Sequence, residues 1–149
     1  MFDFDYEKYE KDCEKIRVVN DELLDIFEKD LINAGLSQKT IRSHLSNVDF
    51  YINEYLLRED AHPMEDGVGM IDDFLGYFFI RKCMWSTPGT IKSTAASIKK
   101  FYKCMLDHGR IKKEEYDYLC TEIKEGMGQW QADCAMYNDP DGDDPFDWF

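Results

Sequence analysis

The stretch Ser86-Thr87-Pro88-Gly89-Thr90-Ile91-Lys92-Ser93-Thr94-Ala95-Ala96-Ser97-Ile98-Lys99-Lys100-Phe101-Tyr102-Lys103-Cys104-Met105 decides the fold class. Thr87 is a hydroxyl N-cap, and Pro88 stands where a helix's first turn has no use for an amide hydrogen. Ile91, Ala95, Ile98, Tyr102 and Met105 then recur at helical spacing, and at about 100° per residue they fall within about 40° of one line. On the same wheel Lys92, Lys99 and Lys103 cluster near 100°, with Ala96 between them and Lys100 further round. His108-Gly109 ends the pattern. This is a long amphipathic helix with a lysine stripe beside its apolar face.

The same period extends in both directions, and no strand-like alternation is sustained. Upstream, Ile71, Phe74, Leu75, Phe78 and Phe79 form the inward face of a helix, with Asp72-Asp73 at its acidic N-terminal end. Residues 60–69, with His62-Pro63, Gly67 and Gly69, read as a loop. Ser37 caps a helix with Ile41, Leu45, Val48, Ile52, Tyr55 and Leu56 inward, ending about Arg58. Before it, Asn20 is expected to cap a helix containing Leu23, Leu24, Ile26, Phe27 and Leu31 that Gly35 ends. Tyr6, Tyr9, Cys13 and Ile16 suggest one further helix. Downstream, a helix is expected over Lys113 to Lys124, and the periodicity fades after Gly126-Met127-Gly128. The expected architecture is all-α: four to five core helices over 20–126, an acidic helical extension over 1–19 and an acidic tail over 127–149. No internal repeat is present.

At 149 residues the chain is long enough for one domain with a real core, and 44% apolar and 15% aromatic content supports a packed globule over disorder. A formal charge of −13 argues against wholesale adhesion to nucleic acid or anionic membrane. No apolar run approaches the length of a membrane span, and Met1 to Lys15 is acidic, so no secretory signal is expected. Five cysteines, Cys13, Cys83, Cys104, Cys120 and Cys134, are expected as reduced thiols of a cytoplasmic protein. The charge is unevenly spread. Residues 81–113 carry nine basic side chains and one acidic, while residues 114–149 carry one basic and eleven acidic. A strongly basic segment inside an acidic protein suits either an ordinary solvated face or a surface for a polyanion.

The second helix repeats the arrangement of the fourth, with Lys39, Arg42 and Ser46 on one side of the Ile41 line and Ser43 flanking them. Lysines supply phosphate affinity and small hydroxyls supply position. The fourth helix also offers its N-terminal amides near Thr87 to Thr90. Catalytic patterns are weak. His44, His62 and His108 sit in no triad, and there is no Cys-x-x-Cys, Gly-rich phosphate loop or His-Glu-x-x-His helix. Cys104 and His108, four apart, are two zinc-type ligands without an evident partner pair, so a buried thiol is the expected role. Trp85 reads as a lid on the core. No metal, cofactor or catalytic residue is expected.

Leu36-Ser37-Gln38-Lys39-Thr40-Ile41-Arg42-Ser43-His44-Leu45 resembles the opening Leu-Ser-x-x-Thr-x-x-Ser-Tyr helix of the core-binding domain of tyrosine recombinases, the phage-integrase family. Ser86-Thr87-Pro88-Gly89-Thr90-Ile91-Lys92, followed by Ala95 to Tyr102, resembles that domain's Ser-x-x-Thr-Ile…Leu-Ser-x-Leu-Arg-x-Phe-Tyr helix, and His108-Gly109-Arg110-Ile111 its Gly-Leu-Ile ending. Order and spacing agree from about residue 20 to residue 113. The resemblance implies the SAM-like helical bundle that grips duplex DNA as half of a clamp. It also implies that Lys39, Thr40, Ser43, Lys92, Lys99 and Lys100 face DNA. The family's catalytic domain, with its nucleophilic tyrosine, has no counterpart after Lys113, so a complete recombinase is not expected, and His44 stands where the family often has tyrosine.

Residues 133–149 hold six acidic side chains, no basic one, and end in Phe146-Asp147-Trp148-Phe149. In composition this is similar to the acidic tail of bacterial single-stranded-DNA-binding proteins. A solubilising tail, an intramolecular cover for the basic stripe and a partner-docking peptide through Phe146, Trp148 and Phe149 all fit. The function expected from the sequence is non-catalytic binding to the phosphate backbone of duplex DNA, as an accessory or regulatory factor in recombination or integration. Lys39, Arg42, Lys92, Lys99, Lys100 and Lys103 would contact phosphates, with Thr40, Ser43 and Ser93 orienting them. The alternative is an acidic protein-interaction module, an inhibitor or DNA mimic, on the same fold.

Overall fold

The computed structural model describes residues 5–140, and among them every regular element is helical. Helix α1 spans Tyr6–Asn33, capped by Asp5, whose carboxylate accepts the Lys8 amide at 3.1 Å. It contains no glycine or proline, so nothing interrupts it where the sequence suggested two helices. Asn20 is therefore not a cap. It is buried in mid-helix, where its amide donates to the Ile52 carbonyl at 3.2 Å and to Asn53 Oδ1 at 2.7 Å. The helix ends where expected. Gly35 has φ +80°, and the amides of Gly35 and Leu36 reach back to the carbonyls of Ile32 and Leu31, a Schellman turn.

Helix α2 spans Gln38–Asp49, with the Ser37 hydroxyl accepting the Thr40 amide at 3.2 Å. It continues as a π-wound turn, Phe50–Tyr55. A 3-10 turn, Met64–Gly69, occupies the expected loop. Two buried hydroxyls pin it: Tyr51 donates to the Gly67 carbonyl at 2.6 Å and Tyr102 to the Met64 carbonyl at 2.7 Å. The backbone at Gly67 passes so close to the Tyr102 hydroxyl that no Cβ fits there.

The third helical rod runs as α3 (Ile71–Asp73), a π turn (Phe74–Phe78) and α4 (Phe79–Lys82). The two π turns face each other across an aromatic joint. Phe74 lies 4.8 Å from both Tyr51 and Tyr55 by ring centroids, and Phe78 lies 5.1 Å from Tyr55. Trp85 closes this joint edge-on against Phe50 and Phe79 while staying half-exposed, the lid role expected of it. Asp72 and Asp73 do not cap the rod. Asp72 accepts the Trp130 indole N–H at 2.8 Å, and Asp73 accepts the Tyr55 hydroxyl.

Helix α5 spans Pro88–Asp107 and begins with a reciprocal capping box between Thr87 and Thr90. It ends in a second Schellman turn at Gly109, φ +72°. All five residues of its expected apolar line are buried, joined by Thr94, Ser97, Phe101 and Cys104. Helix α6 spans Lys113–Asn138, well beyond the expected end at Lys124 and across position 126. The glycines that signalled its end lie inside it. The buried Trp130 ring lies over Gly126 and Gly76, where an added Cβ would meet it at under 3 Å, so both glycines make room for an indole. All five cysteines are free. No helix among the described residues is long and apolar enough to cross a membrane.

Gly126→Ala should therefore destabilise the protein by roughly 1–3 kcal/mol through overpacking. On an exposed helix position the same change would stabilise by about 0.8–1 kcal/mol through helix propensity. Denaturant unfolding distinguishes the two, and a gain in stability would contradict the packing of Trp130.

Candidate nucleic-acid interface

Helix α5 is enclosed by α2, α6 and α1, so burial dictates what its open side carries. On a wheel of about 100° per residue the buried residues leave an arc of about 180°. That arc contains Lys99, Lys92, Lys103, Ala96, Lys100 and Ser93, all exposed, and no acidic side chain until Asp107. Helix α1 contrasts with it: its solvated face intersperses both signs, as in the pairs Lys8–Asp12 at 3.8 Å and Lys29–Asp25 at 2.9 Å.

The lysines of α5 differ in availability. Lys92, Lys99 and Lys100 make no ion pair with any described residue, whereas Lys103 is held by Asp107 at 2.9 Å. Ser93 is exposed, but its hydroxyl donates to the Thr90 carbonyl at 3.2 Å. The N-terminus of α5 is less open to an anion than expected. Pro88 has no amide hydrogen, and the Thr90 amide is taken by the Thr87 hydroxyl at 3.0 Å.

A polar seam joins α5 to α2. The buried Ser97 hydroxyl lies 2.8 Å from His44 Nδ1, accepts from Asn47 at 3.0 Å and donates to the Ser93 carbonyl at 3.1 Å. Thr40 and Asn47 lie four and three residues from His44, on the side of α2 nearest this seam, and Ser43 lies three and four residues from Thr40 and Asn47, further round the same flank. Thr40 and Ser43 are exposed, with Thr40 also receiving the Ser37 hydroxyl at 3.0 Å. Lys39 is exposed and makes no ion pair with any described residue. Arg42 is placed differently. It lines, with Glu28, Ile32, Leu36 and Ile41, a pocket between α1 and α2. A neighbouring groove between α1 and α2 carries Asp21, Asp25, Glu28 and Asp49. Of the expected site residues, Lys92, Ser93, Lys99, Lys100 and Lys103 share the open side of α5, Thr40, Ser43 and Lys39 are exposed on α2, and Arg42 lines a pocket that also holds Glu28. Phe146, Trp148 and Phe149 lie outside the described residues.

Two groups were not singled out from the sequence. Asn47 was unremarkable until its partner Ser97 was known. Asp30 of α1 meets Cys104 and His108 of α5, each at 3.0 Å. Hydrogen bonds from Cys104 and His108 hold the Asp30 carboxyl below its ordinary range against the opposing effect of burial. Comparison with known protein families, curated proteins and solved structures returned no match.

Burial in the seam, reinforced by the Lys100 charge, pushes the His44 imidazole below its ordinary value. The unfolded chain therefore takes up this proton first as pH falls. The stability tied to neutral His44 is complete above about pH 6.5 and is lost as pH drops through the lower, folded value. His44→Gln should flatten the acid limb of a stability–pH profile between about pH 7 and 5. A limb of unchanged slope would contradict the seam.

Proposed function

We propose that this chain is a non-catalytic DNA-binding protein that uses the open face of α5, flanked by the start of α2, against the phosphate backbone of a duplex. The observation that carries this reading is the solvent face of α5, which holds four lysines and a single carboxylate, Asp107 at its last position, in a chain of net charge −13. Like charges three and four residues apart cost about 0.2–0.5 kcal/mol per pair on a helix, as for Lys99 with Lys103 and Lys100 with Lys103. A merely solvated face has no need of that cost, as the mixed charges of α1 illustrate. The resemblance to the tyrosine-recombinase core-binding domain, carried by residues 36–45 and 86–102, supports the same two helices as the interface. It also supports the SAM-like bundle as the fold and an accessory or regulatory role in recombination or integration.

Absence of chemistry belongs to the same proposal. Burial raises the thiols of Cys83, to about 11, and of Cys134, which makes both poor nucleophiles at neutral pH. A second reading, an acidic module that binds a protein, is favoured by one feature, the α1–α2 groove with its four carboxylates.

The test is fluorescence anisotropy of a labelled random-sequence duplex across a salt titration. Neutralisation of about four phosphates gives a log–log slope near −3.6. Lys99→Glu should weaken binding to all sequences alike and make the slope shallower by about 0.9 or more. Asp107→Asn frees Lys103 and should tighten binding. No binding at low salt, or an unaffected Lys99→Glu protein, would remove this face from the account.

A further inference from the structure

Cys104 and His108 lie one helical turn apart at the end of α5, so their side chains project to the same side. The last turn of α1 brings Asp30 to meet them. Asp30 Oδ2 lies 3.0 Å from Cys104 Sγ and 3.0 Å from His108 Nε2, and the three ligand atoms all fall within 4.8 Å of one another. Adjacent ligands of a tetrahedral zinc ion, at the usual bond lengths, stand about 3.3–3.6 Å apart. The three groups are therefore already near coordinating separation, and small side-chain rotations suffice to admit an ion between them.

We infer that Asp30, Cys104 and His108 form a binding site for a zinc-type divalent transition-metal ion, joining the C-terminal ends of α1 and α5. The donor set selects the ion class. One sulfur, one imidazole nitrogen and one carboxylate oxygen suit zinc or cobalt and not calcium or magnesium, which take oxygen ligands. Access is graded in the sense required. Cys104 is buried, while the side chains of Asp30 and His108 are 39% and 41% exposed, so an ion enters from the solvent side and a water completes the fourth position.

The surrounding field is also favourable to a cation. Two helix C-termini converge on the site, and neither α1 nor α5 has a basic residue in its last turn to offset the negative end of its dipole. Asp107 adds a further carboxylate beside Cys104, its charge partly offset by Lys103 at 2.9 Å. Without an ion, burial and the Asp30 carboxylate hold the Cys104 thiol well above its ordinary range. On binding, the S–H bond breaks, a sulfur–metal bond forms, and the proton passes to solvent. The site stands independently of the DNA reading, since it uses none of the exposed lysines.

The experiment titrates the purified, reduced full-length chain with cobalt(II) and with zinc(II). Cobalt should give a thiolate-to-metal charge-transfer band and intense tetrahedral d–d absorption saturating at one ion per chain, and zinc should displace it. Removal of an outer-shell partner costs about 10–100-fold in metal affinity. Loss of a ligand in His108→Ala or Asp30→Asn should reach at least that, and Cys104→Ser should abolish the charge-transfer band. His62→Asn, beside Asp60 and Asp66, should change nothing. Because Cys104 is buried, the exposed His108→Ala protein, with native circular dichroism, is the decisive variant. Zinc should raise the melting temperature of the parent chain and not of that variant. The absence of a thiolate band at saturating cobalt, or equal zinc affinity in parent and His108→Ala proteins, would overturn the site.

Discussion

Everything in this bundle is arranged around the burial of α5. Helices α1, α2 and α6 close on it from three sides, and nine of its twenty residues are buried. Burying one well-packed aliphatic or aromatic side chain contributes about 1.5–3 kcal/mol, so Ile91, Ile98, Phe101, Tyr102 and Met105 make a large contribution to the core. Its polar consequences follow directly. Ser97 must find partners inside and finds His44, Asn47 and the Ser93 carbonyl; Tyr102 must place its hydroxyl and fixes the 3-10 turn at Met64. What remains is about half of the helix surface, and the exposed part between Lys92 and Lys103 carries four lysines.

The second organising feature is the aromatic joint between the π turns Phe50–Tyr55 and Phe74–Phe78. A wider turn spaces large rings so that Tyr51, Tyr55, Phe74 and Phe78 interleave. The shifted carbonyl pattern of such a turn needs outside donors, and Asn20 supplies one to Ile52 from α1. One buried asparagine thus ties the longest helix to the most irregular one. Trp130 plays the same part for α6, reaching Asp72 between two glycines.

Local signals were legible in the sequence where local chemistry decides the outcome. Thr87 with Pro88, Ser37, Gly35 and Gly109 all act at the termini where their residue types belong. The misreadings share one cause, the dependence of a residue's role on a distant partner. Asn20 is a good cap only where the chain leaves the helix, and nothing between Ile16 and Leu23 makes it leave. Gly126 looks like a stop until Trp130 is seen to require its missing side chain. The basic segment was legible from composition alone. The pocket that Arg42 shares with Glu28 was not, because it forms only where α1 packs on α2. The Lys103–Asp107 pair is legible as opposite charges four apart on one helix, as are Lys8–Asp12 and Lys113–Asp117. Asp30, 74 residues from Cys104, could not be joined to it by spacing.

The most direct measurement on the central claim is residue-resolved NMR of the labelled chain during titration with a short random duplex. The account predicts that perturbed amides concentrate on the exposed residues between Lys92 and Lys103 and between Lys39 and Ser43, and fade as salt is raised. Perturbations centred instead on Asp21, Asp25, Glu28 and Asp49, or none at low salt, would contradict it.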